Sequence, residues 1–383
     1  MRKKLTRLML ALFLFLMLIG CGKKDDAKEA ADNNEGADSG MSSEEGGAGA
    51  EEPSISVSSA VVTLGDEDAK MSFAMVSDVG GINDHSFNQG AWEGLKFLNE
   101  NMDARVSYIA SKSVEDFEPS LMRLADQGNE VVWGVGYHFE DAIMKAAAAR
   151  PDIHFGIVDF AYEKMPPNVT CATFRAEEPA FLVGYIAAAV SETGKVGYIG
   201  GMDVEPLEPF YYGYLSGVKQ ADKDLGRETE VLTEYINSFE DASLARNVAE
   251  KMYDGGADVV FHVAGGAGIG VIVAAGFKDK YVIGVDCDQS YLDPAHVLTS
   301  AVKKVDVAIS NISVQYAMGD NIDGRIMEYG LAEHAVGIPE SNPNVPEDVM
   351  EAVRELEKNI IYNNIDVPMD EVEYKEFCEA VSE

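Results

Sequence analysis

The sequence predicts an α/β protein with parallel sheets, divided into two lobes, and three observations carry that expectation. From about residue 68 onward, strand-sized apolar runs alternate with helical segments, the pattern of repeated strand–helix units. Two such series follow one another over roughly three hundred residues, more than a single core comfortably holds. Several runs end in glycine-rich or polar turns, which places side chains at the carboxyl ends of strands, where open α/β sheets bind ligands.

The first series opens at 71–76, a short apolar run suited to a buried parallel strand. It breaks at Gly80-Gly81 into a turn, and Asn83, Asp84 and Ser86 are candidate caps for a helix with apolar positions at Ala91, Trp92, Leu95 and Phe97. Asp78, Asn83, Asp84 and Phe87 can reach a ligand from this turn; the competing reading is a capped helix with Phe87 in the core. Further strands are expected at 105–109, 130–134, 154–158 and 169–174, and then a helix of small residues at 180–190. The second series has strands at 196–199, 230–235, 259–263 and 281–285, with helices at 214–222, 242–253 and 268–277. A last strand at 297–302 leads into a helix at 305–318, and no internal repeat is visible.

Arg2, Lys3, Lys4 and Arg7 precede an unbroken apolar run from Leu8 to Ile19, too short to span a bilayer comfortably and typical of an export signal. Leu18-Ile19-Gly20-Cys21 reads as a bacterial lipobox: 1–20 is the expected signal peptide, and Cys21 the acylated new N-terminus. Residues 21–66 are rich in Gly, Ala, Ser, Asp and Glu, and are expected to form a disordered acidic tether.

The formal net charge is −36, and without the four basic residues of the leader it becomes −40. Such a balance argues against nucleic-acid binding, because no basic surface is available to neutralise phosphates. From Glu340 to Glu383 there are thirteen acidic residues against three basic ones, expected as a solvated face; they form no compact calcium-loop pattern, and no metal site is expected. Cys171, Cys287 and Cys378 show no zinc or redox spacing and read as buried or idle thiols.

Four stretches can carry a site. Gly265-Gly-Ala-Gly-Ile-Gly270 follows a strand and precedes a helix, but its glycine register departs from a dinucleotide-binding fingerprint. Even so, Asp286 lies where a ribose-binding acid would, and backbone amides in such a turn can approach a ligand closely. Ile283-Gly-Val-Asp-Cys-Asp-Gln289 ends a strand with two acids, and a carboxylate there can accept from the two neighbouring hydroxyls of a ribose diol. In Thr299-Ser-Ala-Val-Lys-Lys304, Lys303 can pair with Asp286 and donate to a sugar oxygen, or can simply be a solvated helix start. Tyr235-Ile-Asn-Ser-Phe239 puts an aromatic at another strand end, and two loop phenylalanines can sandwich a flat base, worth about 0.5–1.5 kcal/mol beyond area burial.

These motifs, taken in order, resemble the basic membrane protein family, the nucleoside-binding lipoproteins of ABC importers. The resemblance rests on Ser77-Asp-Val-Gly-Gly-Ile-Asn-Asp-His-Ser-Phe-Asn-Gln89, Gly200-Gly-Met202, Ser238-Phe239 with Asp241, the turn at 264–270, Gly284-Val-Asp-Cys-Asp-Gln289, and Thr299-Ser300 with Lys303; it runs from about 70 to 338. It implies a type I periplasmic-binding-protein fold: two Rossmann-like lobes, a three-crossover hinge and a ligand in the cleft. The implied division is 67–176 plus 295–322 for the first lobe and 177–294 plus 323–383 for the second. Phe87 and Phe239 would stack a purine, Asp78 with Asn83 or Asp84 would hold its polar edge, Asp286 and Lys303 would take the ribose, Gly265 would contribute backbone, and Asp159 is a further carry-over. Cys287 and His262 sit beside these motifs and could alter which nucleoside fits.

The expected protein is lipid-anchored on the extracytoplasmic face of the cell membrane through Cys21. It would capture a purine nucleoside such as inosine, guanosine or adenosine and deliver it to an ABC permease and its ATPase, with no cofactor and no covalent chemistry. An extracellular nucleoside hydrolase is the enzymatic alternative, although no nucleophile–base pair recurs among the motifs and His85 has no evident partner. A membrane-anchored sensor without a transporter is the third reading.

Overall fold

The structure, a computed structural model, describes residues 60–382. The leader, Cys21 and the tether as far as residue 59 lie outside the described residues. The end of the expected tether is ordered differently from the sequence reading. Val61–Leu64 forms strand β1, antiparallel to β3 (Ala104–Ala110), because Val61-Val-Thr-Leu64 is β-branched and apolar enough to close a sheet edge.

The first sheet is built on β2 (Met71–Ser77), whose residues after Met71 are all buried. Helix α1 (Phe87–Met102) follows, then β3, α2 (Phe117–Asp126), β4 (Val131–Val135), α3 (Glu140–Ala149), β5 (His154–Val158) and β6 (Val169–Phe174). The chain then enters α4 (Glu177–Val190) and the second sheet: β7 (Lys195–Gly200), α5 (Glu208–Leu225), β8 (Glu230–Tyr235), α6 (Ala242–Asp254), β9 (Val259–Val263), α7 (Gly268–Lys278), β10 (Tyr281–Asp286) and β11 (Val297–Lys303). It closes with α8 (Val305–Ala317), β12 (Arg325–Tyr329), β13 (Val336–Gly337), α9 (Glu347–Ile361) and α10 (Glu371–Ser382).

The sheet orders are β1-β3-β2-β4-β5-β6-β12 and β13-β11-β10-β9-β7-β8, parallel except where β1 and β13 join. Parallel strands covered by helices on both faces are apolar throughout, which explains why 131–135, 154–158 and 259–263 are wholly buried.

Two of the expected lobe boundaries fall elsewhere. Residues 295–322 were assigned to the first lobe, yet β11 pairs with β10 in the second sheet, while α8 packs on α1 in the first. Residues from 323 were assigned to the second lobe, yet β12 pairs with β6 in the first sheet. The chain therefore passes between lobes after Phe174, after Lys303 and after Tyr329. Strand pairing decides these points, and a single sequence carries no pairing information, so the crossovers were displaced by about one element.

Small residues set the helix contacts. A Cβ at Gly94 would sit 2.7 Å from the Asp306 carbonyl oxygen, and one at Gly217 would sit 1.9 Å from that of Phe181. The expected small-residue helix, α4, thus lies backbone-close against α5. The acidic end is more than a solvated face. α9 buries Met350, Val353, Leu356 and Ile360 along one stripe while Glu351 and Glu355 stay exposed, and α10 lays Phe377 edge-on to Phe181 at 6.1 Å.

Candidate ligand-binding site

A cleft with about 640 Å³ of empty space, part of it open to solvent, lies between the carboxyl ends of the two sheets. Eight of the nine expected ligand residues line it: Asp78, Asp84, Phe87, Asp159, Phe239, Gly265, Asp286 and Lys303. Asn83 is exposed and does not, because the turn points it outward before α1 begins.

The charged floor comes from three strand ends. Lys303, the last residue of β11, is 5 % exposed; its Nζ lies 2.6 Å from Asp159 Oδ2 and 4.0 Å from Asp286 Oδ1. Asp159 follows β5 in the first lobe and Asp286 ends β10 in the second, so one ammonium joins carboxylates across the cleft. Both aspartates have left-handed backbone, φ 61° and 65°, a conformation that Asp tolerates and that clusters at ligand sites. Lys303 Nζ also sits 4.6 Å from the Phe87 ring centroid and 5.4 Å from that of Phe210. Burial pushes the Asp286 carboxyl up to about 6, although Lys303 and the hydroxyl of Ser86, which donates to Asp286 Oδ2, pull the other way.

The second polar cluster is at the start of α1. Asp84 accepts from the amides of Ser86, Asn88 and Gln89 and from Asn88 Nδ2. Its carboxylate is saturated by the helix terminus, so Asp84 shapes the wall instead of offering a free acceptor. Asp78 accepts from the Gly80 amide at 2.9 Å and from Asn88 Nδ2 at 2.8 Å, and burial pushes it up to about 6. Because Asn88 Nδ2 donates to both aspartates, its amide orientation is set. Asn88 Oδ1 is then left buried, with no hydrogen-bond partner among the described residues.

Phe87 and Phe239 line the cleft from opposite lobes. Phe239 is seated by glycine: a Cβ at Gly201 would lie 2.3 Å from its ring, and Gly265, at φ 52°, takes a turn that passes its backbone close to Phe239. Gly268 and Gly270 of this turn serve packing, since a Cβ at the first would meet the His262 ring at 2.1 Å and one at the second the Ala242 carbonyl oxygen at 1.9 Å, while Gly266 lines the cleft. His262 is fully buried, and neither it nor Cys287 lines the cleft. His85, read as a partnerless turn residue, places Nδ1 2.8 Å from the Tyr291 hydroxyl, while its carbonyl accepts from Gln289 Nε2 at 3.0 Å. With Ser86 on Asp286, these bonds tie the lobes together over one end of the cleft.

Asn88, Tyr137, His138 and Phe210 also line the cleft and were not among the expected ligand residues. Asn88 lies one turn from Asp84 and looked like an ordinary helix residue. Tyr137 and His138 had a signal, since they follow Gly134-Val-Gly136 at the end of β4.

The family profile described as ABC transporter substrate-binding protein PnrA-like matches residues 71–371. Basic membrane protein B of Borreliella burgdorferi is 38 % identical over 323 residues, covering 82 % of this chain and 92 % of that protein. Basic membrane protein A2 of Borrelia garinii subsp. bavariensis is 37 % identical over 303 residues, with 78 % and 88 % covered. A crystal structure of an ABC transporter system solute-binding protein from Aeropyrum pernix K1 aligns with a TM-score of 0.74 at 27 % identity, covering 82 % of this chain and 97 % of that one. The fold is that of type I periplasmic binding proteins, as the two parallel sheets and three crossovers indicate. The matched span takes in both lobes and every residue that lines the cleft, and the chain belongs to the PnrA-like family of ABC transporter substrate-binding proteins.

Proposed function

We propose that the protein binds a purine nucleoside in this cleft and delivers it to an ABC permease and its ATPase. The observation that carries this reading is Lys303 held between Asp159 and Asp286, beside the ring of Phe87. One ammonium facing two carboxylates leaves acceptor capacity over, which two adjacent hydroxyls of a ribose can fill as donors. Phe87 and Phe239, on opposite lobes, offer aromatic faces to a flat base. Asp78, held by the Gly80 amide and Asn88 Nδ2, presents an acceptor to the N–H edge of that base. Substrate capture of this kind makes and breaks no covalent bond, so the nucleoside leaves as it entered.

Calorimetry with inosine, guanosine, adenosine, free hypoxanthine and ribose tests the reading. Nucleosides are expected to bind at least a hundredfold more tightly than either half, since ribose and base each engage only part of the cleft. Equal affinity for ribose alone would replace the nucleoside reading with a sugar-binding one. Intact nucleoside should be recovered after long incubation; release of base and ribose in proportion to protein would make it a hydrolase.

We place the protein on the extracytoplasmic face of the cell membrane, held by lipid on Cys21 after the lipobox Leu18-Ile19-Gly20-Cys21. No helix among the described residues is long and apolar enough to cross a membrane. Cys21→Ser is expected to abolish incorporation of labelled palmitate and to shift the protein to the unprocessed or released fraction. Undiminished labelling of the variant would rule out this anchor.

A further inference from the structure

A second cavity lies on the hinge side of the molecule, between the crossovers and the C-terminal segment, with about 1330 Å³ of empty space including the part open to solvent. Its walls carry six carboxylates (Glu177, Glu178, Glu328, Asp366, Glu373 and Glu376) and one cation, Arg175. Arg175 is already engaged, with Nε 2.9 Å from Glu328 Oε2 and Nη1 3.5 Å from Glu178 Oε1. Glu178 also accepts from the Leu331 amide at 2.6 Å.

Glu177 stands apart from this satisfied group. It begins α4, is 5 % exposed, and its Oε2 is buried with no hydrogen-bond partner among the described residues. A buried carboxyl oxygen left without a hydrogen-bond partner is costly. Glu373 and Glu376 on α10 line the same cavity, as do the apolar side chains of Ile365, Val367 and Phe377.

We propose that this hinge cavity binds an aliphatic diamine or polyamine, one ammonium donating to Glu177 and another to the carboxylates of α10. Among the described residues no group of three acidic, histidine or cysteine side chains converges as a metal site, which favours this class over a metal ion. Methylene chains match the apolar walls, and separated ammonium groups match separated carboxylates. The site is independent of the nucleoside cleft and does not rest on that reading.

Occupancy has a protonic signature. Burial pushes the Glu177 carboxyl up to about 8, with Glu178 and Glu328 raising it further and Arg175 opposing them, while Gly213 is what α5 packs against it. At pH 7 the free protein therefore holds a proton on Glu177. An ammonium arriving beside it favours the carboxylate, and the proton passes to the buffer.

The experiment is titration calorimetry of the full chain, purified in detergent, with spermidine at constant ionic strength and pH 7, in two buffers of different ionisation enthalpy. Expected are saturable binding and release approaching one proton. Glu177→Gln should remove the proton release and weaken binding about tenfold or more. Glu376→Gln, on the exposed face of α10, should also weaken it about tenfold, which guards against misfolding of the buried variant. Glu351→Gln, exposed on α9, should change nothing. Magnesium or 1,4-butanediol giving the same heats would overturn the proposal, as would Glu376→Gln and Glu177→Gln both binding like the parent; general screening of an acidic chain predicts those outcomes.

Discussion

Lys303→Met is expected to weaken nucleoside binding by about 10²–10³-fold while leaving the ligand-free protein folded. The methionine keeps the volume of the side chain, so packing against Phe87, Phe174 and Phe210 is largely retained. What is lost is the ammonium that meets Asp159 across the cleft and Asp286 in its own sheet, and removing one partner from a buried pair costs about 3–5 kcal/mol. That loss falls on closure, because Asp159 and Lys303 belong to different lobes and can each meet water when the lobes part. Affinity should therefore drop by about 10²–10³-fold, whereas the melting temperature without ligand should change little. Calorimetry and thermal melting of the same preparation separate the two effects. A variant that binds nucleoside normally, or one that melts far below the parent without ligand, would show that Lys303 holds the fold and not the closed cleft.

The site was legible in the sequence to the extent that chemistry sits next to backbone punctuation. Asp78, Phe239, Asp286 and Lys303 each stand at or just beyond the carboxyl end of an apolar run, and Phe87 opens the helix after the glycine turn, so the strand reading located them without any knowledge of pairing. Asp84 carried two readings, helix cap and ligand acid, and the four donors around it decide for the cap. Asn88 was invisible because what sets it apart, an Nδ2 shared between Asp78 and Asp84, is a three-dimensional fact. The crossovers were misplaced for a related reason. β11 is apolar enough for either sheet, whereas β12, with Arg325 and Glu328, forms no apolar run, and the choice between sheets depends on hydrogen-bond partners far away in the chain. The C-terminal helices were hidden by their charge, since an average over 340–383 conceals the stripe of Met350, Val353, Leu356 and Ile360.

Acid should weaken nucleoside binding and, over the same range, strengthen the ligand-free cleft. Burial raises both Asp78 and Asp286 from the ordinary 3.8 to about 6. In the unfolded chain these groups lose their protons near pH 4; in the folded one they keep them until about pH 6. Between those values the folded state holds more protons, so their contribution to stability is fully present below pH 4 and is lost as pH rises through 6. Ligand binding runs the other way, because hydroxyl and N–H donors need the carboxylates ionised. From pH 7.5 to pH 5 each carboxylate should reduce affinity by about tenfold, and the pair by roughly a hundredfold. Asp286→Asn keeps the size of the side chain and an oxygen for the Ser86 hydroxyl, yet no longer titrates. Its affinity should be lower at pH 7.5 and fall only about tenfold on going to pH 5, because Asp78 alone remains. Calorimetric titrations at half-unit steps give the slope directly. A parent protein whose affinity is flat between pH 7.5 and 5 would mean that neither carboxylate meets the ligand as an anion, and would leave Lys303 to hold the nucleoside without them.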